Sequence, residues 1–193
     1  MSIEFELKYA ATAEAQEAIA AAYPAQYQTI AMETTYYDTP DGALSARHIT
    51  LRRRMENGVS VCTVKTPTAG LARGEWECEC DNISDGILTL CGLGAPRELL
   101  FLTAGGVAPI CGAKFTRRAG LVECDESTVE IALDSGVLLG DGKEIPLCEV
   151  ECELKSGSPE AVVAFGNALA ERFGLTVQTK SKFRRALALA KGE

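Results

Sequence analysis

The sequence predicts an α+β fold, an antiparallel sheet curled into a β-barrel with helices packed on the outside. Three observations lead there. Short segments of period-two alternation recur along the 193 residues, the pattern of strands buried on one side. Stretches with helix start and stop signals interrupt them. The polar rows of several strands also carry charges that a water-facing sheet has little use for.

Residues 2–9 alternate and read as the first strand. Residues 13–22, rich in Ala, Glu and Gln, read as a helix with Thr12 as its N-cap. Strand patterns follow near 29–37, 48–56, 59–65 and 74–80. Asn57-Gly58 between two of them is the strongest hairpin signal in the chain. The stretch 83–112 carries Gly86, Gly92, Gly94, Pro96, Gly105, Gly106 and Pro109 and is expected to hold short helical turns. Strands resume near 113–124, 127–133 and 145–155. Ser158-Pro159-Glu160 opens a helix with Pro at its first position and an acid in its first turn. Val162, Phe165, Leu169 and Phe173 give it an apolar stripe, and Gly174 stops it. Residues 181–191 read as a last helix. No linker, repeat or low-complexity stretch divides the chain, so residues 1–193 are expected to form one domain.

A chain of this length with 47% hydrophobic residues can bury a core without disulfide staples. No apolar run approaches the ~18 residues of a membrane span. The start, Met-Ser-Ile-Glu-Phe-Glu, lacks the basic and apolar regions of a signal peptide. A cytoplasmic protein is therefore expected. The 8 cysteines contain no Cys-x-x-Cys pair, and His48 is the only histidine. That spacing fits neither a zinc ribbon nor a redox motif, so free, packed thiols are expected. A net charge of −8 argues against nucleic-acid and anionic-membrane partners, but not against a small polyanion.

The charges themselves are the informative feature. Glu4, Glu6 and Lys8 share one face of the first strand, opposite Ile3, Phe5 and Leu7. Glu75, Glu77 and Glu79 oppose Trp76, Cys78 and Cys80. Glu149, Glu151, Glu153 and Lys155 oppose Cys148, Val150, Cys152 and Leu154. Alternation alone ordinarily means a polar face in water. Rows of like charge repel, however, and three such rows imply that something cationic belongs among them. A complementary basic set lies on strands too: Arg52 and Arg54, Lys65, Arg117 and Arg118, with Lys180 and Lys182 before the last helix. Arg supplies planar bidentate donors for phosphate oxygens, and Lys a point charge. With the charged faces turned inward, carboxylates can hold Mg2+ or Mn2+ while the cations grip phosphate. About eight strands enclose room for side chains and one small ligand.

Glu4-Phe5-Glu6-Leu7-Lys8 resembles the ExExK signature of the CYTH superfamily, also called triphosphate tunnel metalloenzymes. Leu51-Arg52-Arg53-Arg54 resembles its Leu-Arg-x-Arg strand, Lys65 its hairpin lysine, and Arg73-Gly74-Glu75-Trp76-Glu77 the acidic strand that comes next. Thr116-Arg117, Leu133-Asp134-Ser135-Gly136, Glu149-Val150-Glu151-Cys152-Glu153-Leu154 and Ser181-Lys182 complete the series. One ExExK is weak; eight matches in order are specific. Two departures stand out. Phe115 occupies a place where many relatives carry a second inward cation, which leaves the basic set one charge short. No helical CHAD module is visible, so a stand-alone CYTH form is expected.

The resemblance implies an eight-stranded antiparallel barrel with a triphosphate lying in its tunnel. It implies that Glu4, Glu6, Glu149 and Glu151 hold one or two divalent ions. Lys8, Arg52, Arg54, Lys65, Arg117 and Lys182 would bind phosphate, and Glu75, Glu77, Asp134 and Glu153 would support them. Inorganic tripolyphosphate hydrolysis is the first expectation, with thiamine triphosphate hydrolysis and adenylate cyclisation behind it. A barrel that binds polyphosphate or a nucleotide without turnover is the non-enzymatic alternative. A homodimer is compatible with the sequence.

Overall fold

The computed structural model describes residues 2–67, 73–124 and 126–193. Alternation in the first ten residues yields two short strands, β1 (Ser2–Glu4) and β2 (Glu6–Ala10), separated at Phe5. Thr12 then caps α1 (Ala13–Ala22), its hydroxyl accepting from the Ala15 amide at 3.2 Å. β3 (Gln28–Asp38) leads through a single helical turn, α2 (Ala43–Ala46), to β4 (Thr50–Glu56), β5 (Val59–Pro67) and β6 (Arg73–Glu79). The segment expected to hold helical turns folds as α3 (Ile83–Gly92), capped by Asn82, and α4 (Glu98–Leu102). Three long strands follow, β7 (Ala108–Cys124), β8 (Ser127–Gly140) and β9 (Lys143–Ser156). The chain ends in α5 (Pro159–Phe173), β10 (Thr176–Val177) and α6 (Lys182–Lys191).

β7 starts five residues before the expected boundary, and β8 runs seven residues past it. Pro109 and Gly112 read as loop residues, yet they pair with β3 next to a register irregularity at Tyr36/Tyr37, where such residues are tolerated. At the end of β8, Asp141 and Gly142 both take positive φ, 52° and 69°, and form the turn into β9. Asn57 and Gly58 do the same between β4 and β5, as their sequence signalled.

All strand pairs are antiparallel, in the order β1-β6-β5-β4-β3-β7-β8-β9-β2-β10. β1 pairs with β6 and β2 with β9, so the two halves of the N-terminal segment belong to opposite ends of the sheet. The sheet is thus not strictly closed by hydrogen bonds; the chain itself spans the seam at Phe5. If β1 and β2 are counted as one broken strand, eight strands enclose the tunnel and β10 is an edge addition.

Burial follows the alternation. The outward rows of β2, β8 and β9 pack Tyr9, Ile131, Leu133, Val150 and Cys152 against Ile19 of α1 and Val162, Phe165 and Leu169 of α5. On the other side, Leu51, Cys62, Val64 and Trp76 pack beneath Ile87, Leu90 and Leu99 of α3 and α4. The helices therefore cover the outside, with one addition. Ala186 of α6 packs with Met32, Ala113, Phe115, Leu138 and Leu147, which share strand faces with the inward charges. A Cβ on Gly140 would lie 2.6 Å from the Ala190 nitrogen and 2.7 Å from the Ala186 oxygen, so α6 sits directly on the backbone of β8. No helix among the described residues is long and apolar enough to cross a membrane.

Candidate active site

The inward rows line a tunnel of ≈ 290 Å³. Strand register assembles it. Glu6 lies opposite Glu153 and Lys8 opposite Glu151 across β2–β9. Arg52 is flanked by Tyr36 on one side and Thr63 on the other, and Thr63 is in turn opposite Glu77. Arg117, Asp134 and Glu149 form one row across β7, β8 and β9. Of the residues singled out from sequence, Glu4, Glu6, Lys8, Arg52, Arg54, Lys65, Glu75, Glu77, Arg117, Glu151, Glu153, Lys155 and Lys182 line the tunnel. Asp134 and Glu149 are fully buried in its wall. Lys180 is exposed, and Arg118 leaves the tunnel to pair with Glu17.

Asp134, Glu149 and Glu151 are the centre of the acidic half, each with an oxygen within 4.8 Å of the others'. The Lys182 ammonium, on the first turn of α6, sits among them, 2.7 Å from Asp134 and 2.8 Å from Glu151, and it also bonds Glu149. Arg117 bridges Asp134 through two bonds of 2.8 and 2.7 Å and reaches Glu151. Arg185, one turn further along α6, bonds Glu149. Burial works against ionisation of Glu151, but Lys182, Arg117 and Lys8 outweigh it and hold its carboxyl well below the usual range. For Glu149, burial reinforced by Glu151 outweighs Lys182 and Arg185, and its carboxyl rises. Burial likewise raises Glu153, although Lys155 pairs with it at 3.0 Å.

The second half centres on cations. Lys65 bonds Glu4 and Glu75, the latter at 3.2 Å, and Arg52 lies 3.7 Å from Glu75 and 3.5 Å from Glu77. Arg54 is different. Its Nε donates to Thr34 at 2.9 Å, and the nearest carboxylate among the described residues, Glu56, is 3.6 Å away. Burial, with Arg52 and Arg117 close by, depresses its guanidinium to about 10. The Arg52 Nε is buried without a hydrogen-bond partner. Around Arg54 the wall is short of negative charge.

Phe115 is buried beside these cations, in the cluster that Ala186 covers. Its ring has Lys182 at 5.3 Å, Arg54 at 5.8 Å and Arg117 at 5.9 Å, so three of the site's cations gather around it. Thr50, Arg73, Ser181 and Phe183 line both the tunnel and a neighbouring cleft of ≈ 920 Å³ between α2 and α6. Phe183 packs on Tyr36 at 5.1 Å between ring centroids, at this junction.

A divalent cation fits the donor set. The Glu4 Oε2 atom is buried and has no hydrogen-bond partner, which is costly unless a cation meets it. Carboxylate oxygens are hard donors suited to Mg2+ or Mn2+. Of the thiols, Cys62, Cys78, Cys80 and Cys152 belong to the outer cores, and Cys111 packs with the cluster that Ala186 covers.

Sequence reasoning missed Arg185 and Gln16. Arg185 follows Lys182 by three positions, a helical spacing that would have placed both on one face. Gln16, on α1, has no such signal.

The CYTH domain family model matches residues 2–187. An inorganic triphosphatase from Haemophilus influenzae is 30% identical over 168 residues, which cover 85% of this chain and 47% of that protein. The chain thus spans about half the length of this curated relative. Among solved structures, HpAC1 from Hippeastrum, described as revealing a dominant triphosphatase activity, matches with a TM-score of 0.66 at 20% identity, covering 100% of this chain and 97% of that one. The PH1819 protein from Pyrococcus horikoshii OT3 matches with a TM-score of 0.64 at 24% identity, covering 97% and 99%. At such identities the structural likeness speaks for the fold alone. The family match runs from β1 into α6, over the strands whose charged rows face the tunnel, and the chain belongs to the CYTH domain family.

Proposed function

We propose that the tunnel binds a triphosphate together with a divalent cation and hydrolyses it, with inorganic tripolyphosphate as the substrate. The observation that carries this reading is the pair of walls. Arg54 is a buried cation whose nearest carboxylate is 3.6 Å away, and Arg52 beside it has a buried Nε with no hydrogen-bond partner; both face a space that carboxylates share. A phosphate chain supplies the missing charge, and only a metal-bound polyanion matches both walls at once. The Haemophilus relative's name supports the substrate.

Arg52, Arg54, Lys8, Lys65, Arg117 and Lys182 bind phosphate oxygens in this reading. Glu4, Glu6, Glu149 and Glu151 would hold Mg2+ or Mn2+, which when bound would draw charge from the phosphoryl oxygens and activate water. Glu75, Glu77, Asp134 and Glu153 orient the cations. Phosphoryl transfer asks for positioning and charge stabilisation more than for covalent chemistry. The cations neutralise charge that builds on the departing pyrophosphate oxygens, and the buried walls keep the chain aligned. No protein nucleophile is required.

A second reading, thiamine triphosphate hydrolysis, draws on the ≈ 920 Å³ cleft, which leaves room for an organic group beside the tunnel. One assay separates the readings. Purified protein is incubated with tripolyphosphate, thiamine triphosphate or ATP, in Mg2+, Mn2+ or chelator, and phosphate and cyclic AMP are measured. Metal-dependent phosphate release, fastest from tripolyphosphate, is expected. Cyclic AMP without phosphate would make the chain a cyclase. Binding that persists in chelator with no turnover would make it a polyphosphate- or nucleotide-binding module.

A further inference from the structure

We infer that Gln16, outside the barrel on α1, is a positioning residue that sets the spacing of the Asp134 and Glu149 carboxylates inside it. The inference rests on the tunnel being the active site, and it concerns a residue that touches neither substrate nor metal.

Gln16 is 3% exposed, although the exposed positions around it on α1 carry Ala and Glu. Its Nε2 donates to two carbonyl oxygens, Asp134 O and Glu149 O, each at 3.0 Å. Its Oε1 accepts from the Ser135 hydroxyl at 2.7 Å. The side-chain amide therefore spends both hydrogens and its oxygen on one spot. Asp134 and Glu149 are direct cross-strand partners, and their side chains pass through the wall to meet Lys182. One amide on the outer surface thus ties together the backbones of the two residues whose carboxylates anchor the acidic cluster.

Helix docking does not need this arrangement. Ile19, fully buried one turn along, already seats α1 in the apolar cluster shared with α5. A glutamine solely for docking would bond to the nearest polar group of either strand. This one bonds to the carbonyls of two acids on two strands. Its removal lets β8 and β9 shift against each other under the cluster, and a cation held by several carboxylates is sensitive to such a shift. Outer partners of ligands typically change metal affinity or activity by about 10–100-fold.

The test compares Gln16→Met, which keeps length and loses every polar contact, with Ile19→Val, which loosens α1 without touching those contacts, and with Ser135→Ala, which removes the contact to Oε1 but keeps both carbonyl bonds of Gln16. Manganese affinity is titrated calorimetrically in the absence of substrate, and kcat and KM for tripolyphosphate are measured well below each variant's Tm. The expected result for Gln16→Met is a loss of about 10-fold or more in manganese affinity and in kcat. KM should change little, because Gln16 touches none of the phosphate-binding cations. Ile19→Val and Ser135→Ala should retain wild-type affinity. A Gln16→Met protein with a lower Tm but unchanged manganese affinity and kcat would overturn the inference, as would an equal affinity loss in Ile19→Val. If the wild type binds manganese but hydrolyses nothing, the triphosphatase reading fails, and the affinities still decide the role of Gln16.

Discussion

At Glu151, burial and charge pull in opposite directions, and charge wins through Lys182, Arg117 and Lys8. A carboxyl depressed in the folded state contributes stability that is fully present above its unfolded value, about 4.3, and is lost as pH falls through the lower folded value. Glu151→Gln should therefore weaken folding by about 3 kcal/mol at pH 7, the low end for breaking a buried pair, because Asp134 and Glu149 still face Lys182. The deficit should shrink below about pH 4, and urea titrations at both pH values would show it. Turnover should be abolished although the fold survives, as it should be for Glu4→Gln. Wild-type activity in both variants would refute the assignment of these acids. The cysteines make the opposite case. Burial pushes Cys62, Cys111 and Cys152 up to about 12, so they are thiols at neutral pH. Iodoacetamide at pH 8 should leave these three unmodified in the native protein and alkylate them in denaturant. Rapid native labelling at any of them would contradict a packing role.

The element that decides most is α6, because it brings Lys182 and Arg185 to the acids while its own middle rests on β8 at Gly140. Gly140→Ala puts a methyl into the backbone of that helix. Overpacking of this kind costs about 1–3 kcal/mol. The helix must also shift, so kcat should fall together with Tm, although Gly140 does not line the tunnel. An unchanged kcat would mean that Lys182 is held by its ion pairs and not by the seating of α6. This dependence was hidden from the sequence for a physical reason. Strand alternation has only two faces, so rows such as Glu149-x-Glu151 announce which side they share, and register then brings Arg117, Asp134 and Glu149 into one row. The Asn57-Gly58 turn was equally legible, because few residue pairs accept positive φ twice. A helix pattern shows that α6 has an apolar face without saying which surface receives it. The Gly140 contact and the three bonds of Gln16 arise only when distant segments meet. β10 and the single turn α2 are too short for any periodicity to show.

For the whole molecule, the decisive property is charge balance. Among the described residues, eight carboxylates and eight cations line the tunnel, whereas the chain as a whole carries −8. The excess negative charge therefore lies elsewhere on the protein, and the tunnel itself is close to neutral. A bare triphosphate would upset that balance. A divalent ion offsets part of its charge and lowers the cost of entry, and the pair binds only the folded barrel, since the cations come from β2, β4, β5, β6, β7, β9 and α6. Mass action then gives about 2.7 kcal/mol of stabilisation at a ligand concentration of 100 Kd. For a chain of this size each kcal/mol moves Tm by about 2–4 °C, so a rise of about 5–11 °C is expected with tripolyphosphate and Mg2+ together. Turnover must be kept out of the measurement, which a non-hydrolysable triphosphate analogue would do. Tripolyphosphate with chelator should give a much smaller rise, because its charge then meets the carboxylates unscreened. Equal rises with and without metal would show that the cationic wall alone recognises the anion and that the acids serve another purpose. No rise under either condition, at saturating ligand, would remove the triphosphate from the tunnel altogether.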